Sequence, residues 1–571
     1  MTTFHPATVP CTADLDNPLY YLENMETVVR WVLNHHGDLL TGLEIRLLET
    51  FLDLETEEKA LLTRLVMRTG ELFRADKLVY PELDSPVPEI LHRLVSADWL
   101  DTGPLLDLDQ LFRLFTLAEL RPAFADTLQG LGHRRALPKA AMKMALSDHF
   151  SDARPLTEWF DAGTAWVVRL QHMALFDRVR LMFFGNLRQT WSDFVLVELG
   201  YQSYERVPFT AESRAFSHRE HVDCYLAMQA CRDQLDQEVP ASEVWPQVPG
   251  PVTNAWLASR RDRLLLELGR QAERQGDREL ALTAWARSRH REARLKQLRL
   301  LERMKRYQEA WQTASHWQTE ELSDAERQGL DRILKRLAPK VGEPRPAPAA
   351  IRPINEWQVS LPRPAAGPVE WAAAEHLDGP GAPVAYVENT LINGLFGLLC
   401  WPVIFKPVPG AFFHPFHTGP ADLTREDFPK RRRSGFEACF VTLGDGGYRQ
   451  RILDTWHDKQ GLANPFVIWP ALSQALIELA LECIPAAHLE AMFRRLLLNV
   501  KEHRSGFPDL IRFHPQRPDH EPRYEMVEVK GPGDRLQDHQ RRWLDFFARE
   551  GIPASVCYVR WDEDSGVGSS E

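Results

Sequence analysis

Hydrophobic positions along the chain change their spacing several times, and the changes mark out its elements. From about Tyr20 to Leu54, Leu22, Met25, Val28, Val29, Val32 and Leu33, then Ile45, Leu47, Leu48 and Phe51, recur at helical intervals. From Leu61 to Leu100 the text runs helix, extended KLVYPEL, then helix PEILHRLVSADWL. Leu106 to Leu146 holds DLDQLFRLFTLAEL and RALPKAAMKMAL, two short helices with a polar joint. Trp159 to Tyr204 reads as further helix, including FFGNLRQTWSDFVLVELG with its terminal Gly.

In LGRQAERQGDRELALTAWARS, small Ala272, Ala281 and Ala286 and bulky Leu268 and Trp285 recur around a Gly-Asp turn, and LLERMKRYQEAWQTA echoes them. The spacing resembles degenerate tetratricopeptide helix pairs, which need neighbours to bury their faces. Between Ala338 and Pro368, Pro339, Pro344, Pro346, Pro348, Pro353, Pro362, Pro364 and Pro368 predict an extended connector.

Beyond it, Tyr386 to Phe405 reads as a buried helix with Glu388 near its start. Its apolar part, Leu391 to Phe405, is interrupted by Asn393, Gly394, Gly397 and Pro402 and is shorter than the roughly 20 residues that cross a bilayer. Ala471 to Val500 is helical with a break at Pro485. Two short apolar runs follow, Leu510-Ile511 and Met526-Val527 with Val529, then helix LQDHQRRWLDFFARE, for which Asp534 is a cap candidate, and strand ASVCYVRW. The order predicts a mixed α/β module after a mostly helical region.

The 571 residues suffice for three or four domains, and 17 Trp and 28 Phe supply their cores. A net charge of −12 argues against a nucleic-acid coat protein but leaves room for a local basic track. The 7 Cys are scattered, with no Cys-x-x-Cys and no secretory signal at Met1, which predicts reduced thiols in a cytoplasm and no zinc finger.

The chemistry concentrates between Gly506 and Asp545. Asp509 follows Pro508 at the mouth of one strand, while Glu528 and Lys530 alternate with Val529 on the next and point to the same side. Two acids and an amine around one point suit Mg²⁺, which takes one or two carboxylates plus water and phosphate. A solvated strand edge reads equally well from these three residues alone.

EHRSGFPDL, EMVEVKGPGDRL and the upstream YVENTLINGLFGLLCWPVIF together resemble the Fanconi-associated nuclease family, within the virus-type replication-repair nuclease (VRR-NUC) branch of the PD-(D/E)XK superfamily. The resemblance covers roughly the last two hundred residues most strongly. It implies a restriction-endonuclease-like fold, with Asp509, Glu528, Glu388 and the Val529 carbonyl as ligands of Mg²⁺ or Mn²⁺ and Lys530 stabilising nucleophile or transition state. Gln540 would face back toward the sheet, orienting water or merely capping local packing. The missing zinc finger looks like a bacterial-type member. No Walker pattern is present, so no nucleotide cofactor is expected.

Basic candidates for DNA contact fall in two tracts. Arg260 to Arg306 carries fifteen Lys or Arg against seven acids, with Arg287, Arg291, Arg294, Lys296 and Arg303 along helix faces. The second tract is Lys430, Arg431, Arg432 and Arg433, followed by Arg449 and Arg451 near Gly444, Gly446 and Gly447. A salt-bridged or solvated surface is the alternative for each. In a SAP-like helix pair Lys139 and Lys143 would be helix-terminus phosphate contacts, though solvation of a helix surface is the better reading for each one separately. His218, His221 and Cys224 share a spacing of three but lack a fourth ligand, so exposed helix histidines are the better reading.

The expected organisation is a winged-helix-like domain over 1–105, a SAP-like helical DNA-binding region over 106–250, tetratricopeptide-like helices over 251–340, a Pro-rich linker over 341–370 and the nuclease over 371–571. The resemblance implies a structure-selective nuclease with 5′-flap endonuclease and 5′–3′ exonuclease activity in interstrand crosslink repair. The alternatives are a junction resolvase, a restriction-type nuclease or a non-catalytic scaffold. Branched DNA is the expected partner, with a protein partner on the tetratricopeptide-like helices, no membrane, and a monomer near the nucleoid.

Overall fold

The computed structural model describes residues 17–562 apart from 134–135, 164, 190, 192–202, 320–321, 323, 346–352, 364–366 and 519. The chain divides into two compact units, one comprising Met1–Tyr201 with Phe216–Val222, the other Gln202–Ala215 with Asp223–Glu571.

In the first unit, helices Tyr20–His36, Gly42–Asp53 and Thr56–Val66 bury most of the apolar positions that the periodicity marked, with Leu33, Ile45 and Leu47 only partly buried. Thr41 opens the second of them with a reciprocal cap: its hydroxyl accepts from the Glu44 N–H, and the Glu44 carboxylate accepts from the Thr41 N–H. A small antiparallel sheet joins β1 (Leu72–Arg74), β2 (Leu100–Asp101) and β3 (Val167–Leu170) in the order β1-β3-β2. The central strand therefore comes from beyond residue 105. Helices Leu108–Leu114, Leu117–Ala123 and Lys139–Ser147 form an excursion between β2 and β3, with a core of Leu111, Phe112, Phe124, Leu146 and Trp159. Helix Met173–Phe184 ends at Gly185; most of the following stretch read as helix, 192–202, lies outside the described residues.

In the second unit, after most of helix Arg219–Asp236 and the short helix Ala241–Val244, come helices Ala255–Gln275, Arg278–Ala286, Arg291–Arg303, Tyr307–Trp317 and Asp324–Val341. Gly269 allows Ala255–Gln275 and Arg278–Ala286 to close, because a Cβ there would collide with the Trp285 indole. That indole N–H donates to the Leu266 carbonyl at 3.2 Å.

A five-stranded mixed sheet follows, with strands β4 (Asn355–Leu361), β5 (Val384–Tyr386), β6 (Leu510–Phe513), β7 (Tyr524–Lys530) and β8 (Ala554–Trp561) in the order β4-β8-β7-β6-β5. The β7 strand runs antiparallel to β6 and parallel to β8, which is parallel to β4. The stretch 341–370 is thus more than a linker. Seven of its residues form an edge strand of the nuclease sheet, and Pro339 closes a helix instead of opening a connector. Pro346, Pro348 and Pro364 lie outside the described residues.

One sheet face, Leu510, Val527, Val529, Cys557 and Val559, packs with Ala373 of helix Val369–Leu377. The other, Ile511, Phe513, Met526 and Val556, joins a larger core with helices Leu391–Leu399, Ala486–Leu498 and Asp538–Glu550. Among the described residues no helix is long and apolar enough to cross a membrane.

Candidate active site

Alternation along β7 puts Met526, Glu528 and Lys530 on the face of the larger core, with Val527 and Val529 turned away. Asp509 stands one residue before β6, which pairs with β7 through Leu510 and Val527. Its Oδ2 accepts from the Val529 N–H at 2.8 Å, which fixes the carboxylate. Lys530 Nζ donates to Glu528 Oε1 at 2.6 Å and to the Val529 carbonyl at 3.1 Å. These groups meet below the surface: Asp509 is 6% exposed, Glu528 1% and Lys530 9%.

Gln540 does face the sheet. Its Nε2 donates to Glu528 Oε1 at 2.5 Å, while its Oε1 accepts from the Gln537 N–H at 2.9 Å in the cap of helix Asp538–Glu550. It holds a carboxylate as well as a helix end. Asp534 does not cap that helix; it accepts from the Gly531 N–H at 3.1 Å and closes the turn after β7.

The backbone brings Glu388 to the same corner. The Val387 N–H donates to the Asp509 carbonyl at 2.8 Å, so the chain before Glu388 is tied to the start of β6. The Tyr386 hydroxyl donates to Glu388 Oε2 at 2.6 Å, and Asn389 Nδ2 donates to its Oε1 at 3.1 Å. Asn389 has a left-handed φ of 52°, a conformation that Asn tolerates better than most residues. Its Oδ1 accepts from the Phe507 N–H at 3.2 Å, and Asn393 Nδ2 bridges the Asn389 and Arg504 carbonyls, each at 2.8 Å.

The loop between Arg504 and Asp509 is clamped from the other side. Trp543 packs on Phe507 at 4.0 Å and donates to the Ser505 carbonyl at 3.1 Å. Gly506 is required there, with φ of +91° and His539 only 2.6 Å from where a Cβ would sit. Tyr386 and Asn389 were missed by the sequence reading, although both flank Glu388 in the quoted segment.

Electrostatics sets this corner apart. Burial pushes Asp509 up to about 6, with Glu370 and Glu388 adding to it against the Val529 N–H and Lys530. Burial, then the Asp509 charge, pushes Glu528 up to about 7 despite Lys530 at hydrogen-bond distance. Burial and the Glu388 charge raise Tyr386 as well. Glu528 Oε2 is buried with no hydrogen-bond partner. One ammonium among several acids, with an orphaned carboxylate oxygen, is an environment that a divalent cation completes. The fit rests on the orphaned Glu528 oxygen and the raised Asp509 beside it, and Mg²⁺ usually takes one or two carboxylates with water. Among the described residues no group of three His, Cys, Asp or Glu that could hold a metal is found.

The other candidates divide. Arg432 is fully buried and doubly hydrogen-bonded to Asp422, so it is a structural cation and cannot reach a DNA phosphate. Arg431 pairs with the same carboxylate and with the Pro409 carbonyl. Lys430 and Arg433 line a groove of about 520 Å³ with Arg291 and Arg494. Arg291 pairs with Glu426 at 2.6 Å, Arg303 pairs with Glu273, Arg287 lies over Trp245 and Arg294 over Trp317. Lys296 acts on Glu292, helping to hold its carboxyl low after Arg270. Arg449 reaches the Tyr448 hydroxyl at 3.3 Å, and the Arg451 charge acts on the buried Cys400 thiol. Gly446 needs no DNA to explain it: at φ of +82° it ends helix Arg433–Asp445. Lys139 donates to the Phe115 carbonyl and Lys143 pairs with Asp109. The His218 and His221 rings meet edge to face, and among the described residues no group of three possible metal ligands is found.

Comparison with known proteins now bears on this geometry. The VRR-NUC domain profile matches residues 444–561, the FAN1 HTH domain profile 19–101, and the Fanconi anemia-associated nuclease SAP domain profile 105–159. A Fanconi-associated nuclease 1 homolog of Pseudomonas aeruginosa is 47% identical over 552 residues, 96% of this chain and 97% of that protein. The chain belongs to the Fanconi-associated nuclease family. The human Fanconi-associated nuclease 1 is 31% identical over 179 residues, 30% of this chain and 17% of its own length. The crystal structure of paFAN1 bound to 2nt 5′flap DNA with gap superposes with a TM-score of 0.81 at 46% identity, covering 96% of this chain and 99% of that one. A companion structure with a 1nt flap gives the same TM-score at 47% identity, over 95% and 99% of the two chains. The chain is accordingly a DNA nuclease of DNA repair that depends on a divalent metal ion.

Proposed function

We propose that this nuclease hydrolyses phosphodiesters of branched DNA at 5′ flaps, with associated 5′–3′ exonuclease action, in the repair of interstrand crosslinks. Mg²⁺ or Mn²⁺ would be held by Asp509, Glu528, the Val529 carbonyl and Glu388. The observation that carries the reading is the orphaned Oε2 of Glu528, buried beside a second raised carboxylate with one ammonium to balance them. When bound, the ion supplies a Lewis acid for a phosphoryl oxygen and a water of lowered pKa.

The protein's own groups do the rest. Asp509 is preset by the Val529 N–H, so its second oxygen keeps a fixed direction. Lys530, aimed by Glu528 and the Val529 carbonyl, offers an ammonium to charge that builds on the phosphorus oxygens or to the attacking water. Gln540 fixes Glu528, while Tyr386 and Asn389 fix Glu388. Flap preference is supported by the relatives solved with flap DNA.

The test is cleavage of labelled 5′-flap, four-way junction and plain duplex DNA with Mg²⁺ or Mn²⁺. Preferred cutting near the flap base supports the reading. Equal or faster cutting of the junction would favour a resolvase, and sequence-dependent cutting of plain duplex a restriction-type enzyme.

A further inference from the structure

The face that carries Glu528 and Lys530 does not stop at β7. Lys530 pairs in register with Tyr558 of β8, and Tyr558 with Gln358 of β4, so these side chains lie on the same side of the sheet. Two residues on, Arg560 pairs with Ser360 in the same way. The result is an open trough of about 930 Å³ leading away from Lys530, with the turn Gly531–Asp534 along its rim. Gly533 presents open backbone at φ of +87°, with no atom within 4 Å of a would-be Cβ.

We infer that this trough seats nucleotides flanking the scissile phosphate, with Arg560 as a phosphate-positioning residue and Tyr558 as a stacking surface. The inference rests on the flap-nuclease reading and adds a substrate-strand site to it. Its occupant is nucleic acid because the trough is continuous with the catalytic face and carries the matching chemistry. Arg560 is exposed, with the Gln358 amide beside it, and the lining reaches Gly531, next in the chain to Lys530, and Tyr558, its partner in register. A phosphate track with a stacking ring is how single strands are held without base reading. Of the two acids in the lining, Asp534 is turned into its own rim, and Glu356, opposite Val556, lies on the same face two residues before Gln358, so a phosphate is placed at Arg560, four residues further along the register.

Arg560→Ala, Arg560→Lys, Tyr558→Ala and Tyr558→Phe would be compared with the parent on flap DNA, with circular dichroism as the fold check. Arg560→Ala is expected to raise KM about fivefold with kcat within twofold, and to reduce the salt slope of binding by about one, with Lys restoring most of it. Tyr558→Ala is expected to raise KM about tenfold, whereas Phe, which keeps the ring, matches the parent. Unchanged KM and salt slope in folded Arg560→Ala and Tyr558→Ala would overturn the inference. So would a parent dimer, by light scattering, that Arg560→Ala dissociates, because the trough would then be a self-association face. Anisotropy binding without metal separates the two levels: a parent that cleaves while these variants bind as it does loses only the trough. A parent that binds through Arg560 but never cleaves loses only the hydrolytic reading.

Discussion

Asp422 and Glu528 are both carboxylates taken out of water, 0% and 1% exposed, and both touch a cation. Around Asp422 the cations are in excess: Arg432 gives paired bonds at 2.8 and 2.9 Å, and Arg431 adds one at 2.7 Å. Around Glu528 the acids are in excess. Lys530 is shared with a neighbourhood that includes Asp509 and Glu388, and one Glu528 oxygen has no partner. A buried ion pair whose charges and hydrogen bonds close is a fixture of the fold. One whose charges do not close holds its acids at raised pKa and is stabilised by a ligand of the missing sign. The balance of charge, rather than burial or the presence of an ion pair, separates the Asp422 cluster from the Glu528 cluster proposed as catalytic.

The largest expected effect is on catalysis. Asp509→Ala or Lys530→Ala should lower the cleavage rate on the order of 10⁴-fold, about 5 kcal/mol. In stability the two part: Asp509→Ala removes a raised carboxyl and should not destabilise the metal-free protein at neutral pH, whereas Lys530→Ala strands the buried Glu528 and should. A variant that cuts flap DNA at the parent's rate would remove that residue from the mechanism. The balanced cluster should respond the other way. Asp422→Ala strands two guanidiniums and should cost about 3–5 kcal/mol of stability, read by denaturant unfolding, while the protein that stays folded keeps its kcat. If Asp422→Ala were instead as stable as the parent, the contrast between the clusters would lose its basis.

A smaller effect tests the groups that hold the acids. Gln540→Leu and Tyr386→Phe should each weaken activity or metal affinity about 10–100-fold, with higher metal concentration recovering part of the loss. No recovery and no loss would mean that Glu528 and Glu388 keep their places unaided.

How much of this was legible in the sequence follows from the range of each interaction. Asp509, Glu528 and Lys530 were readable because strand alternation is local, and the pairing of Leu510 with Val527 does what two adjacent apolar runs predict. The helix Asp538–Glu550 and strand β8 were readable for the same reason. Strand β4 was hidden: its residues sit among prolines, and its partner β8 lies about two hundred residues later, at Ser555 to Trp561. β3 was hidden likewise, because its pairing to β1 and β2 skips a whole helical excursion. Arg432 misled because a basic run looks like a surface, and its carboxylate stands ten residues earlier with nothing local to tie them. The excess of Arg between Arg260 and Arg306 misled in part: Arg263, Arg270, Arg303 and Arg306 all find acids within the same helices or their neighbours.

The central claim is that the Asp509 and Glu528 charges are under-compensated until a cation joins them. A folded-state carboxyl raised above its unfolded value contributes stability at low pH and loses it as pH rises through the raised value. With folded values of about 6 and about 7 for the two acids, the metal-free protein should lose stability between about pH 4 and pH 7 at this site. The decisive measurement is the unfolding temperature of parent and Glu528→Gln, with and without Mg²⁺, at pH 5 and pH 7.5. The account predicts that metal-free Glu528→Gln is the more stable protein at pH 7.5, by about 1–3 kcal/mol, and that Mg²⁺ raises the parent strongly at pH 7.5, weakly at pH 5, and the variant little at either. A metal-free parent as stable as the variant at pH 7.5, with Mg²⁺ acting equally on both, would contradict it.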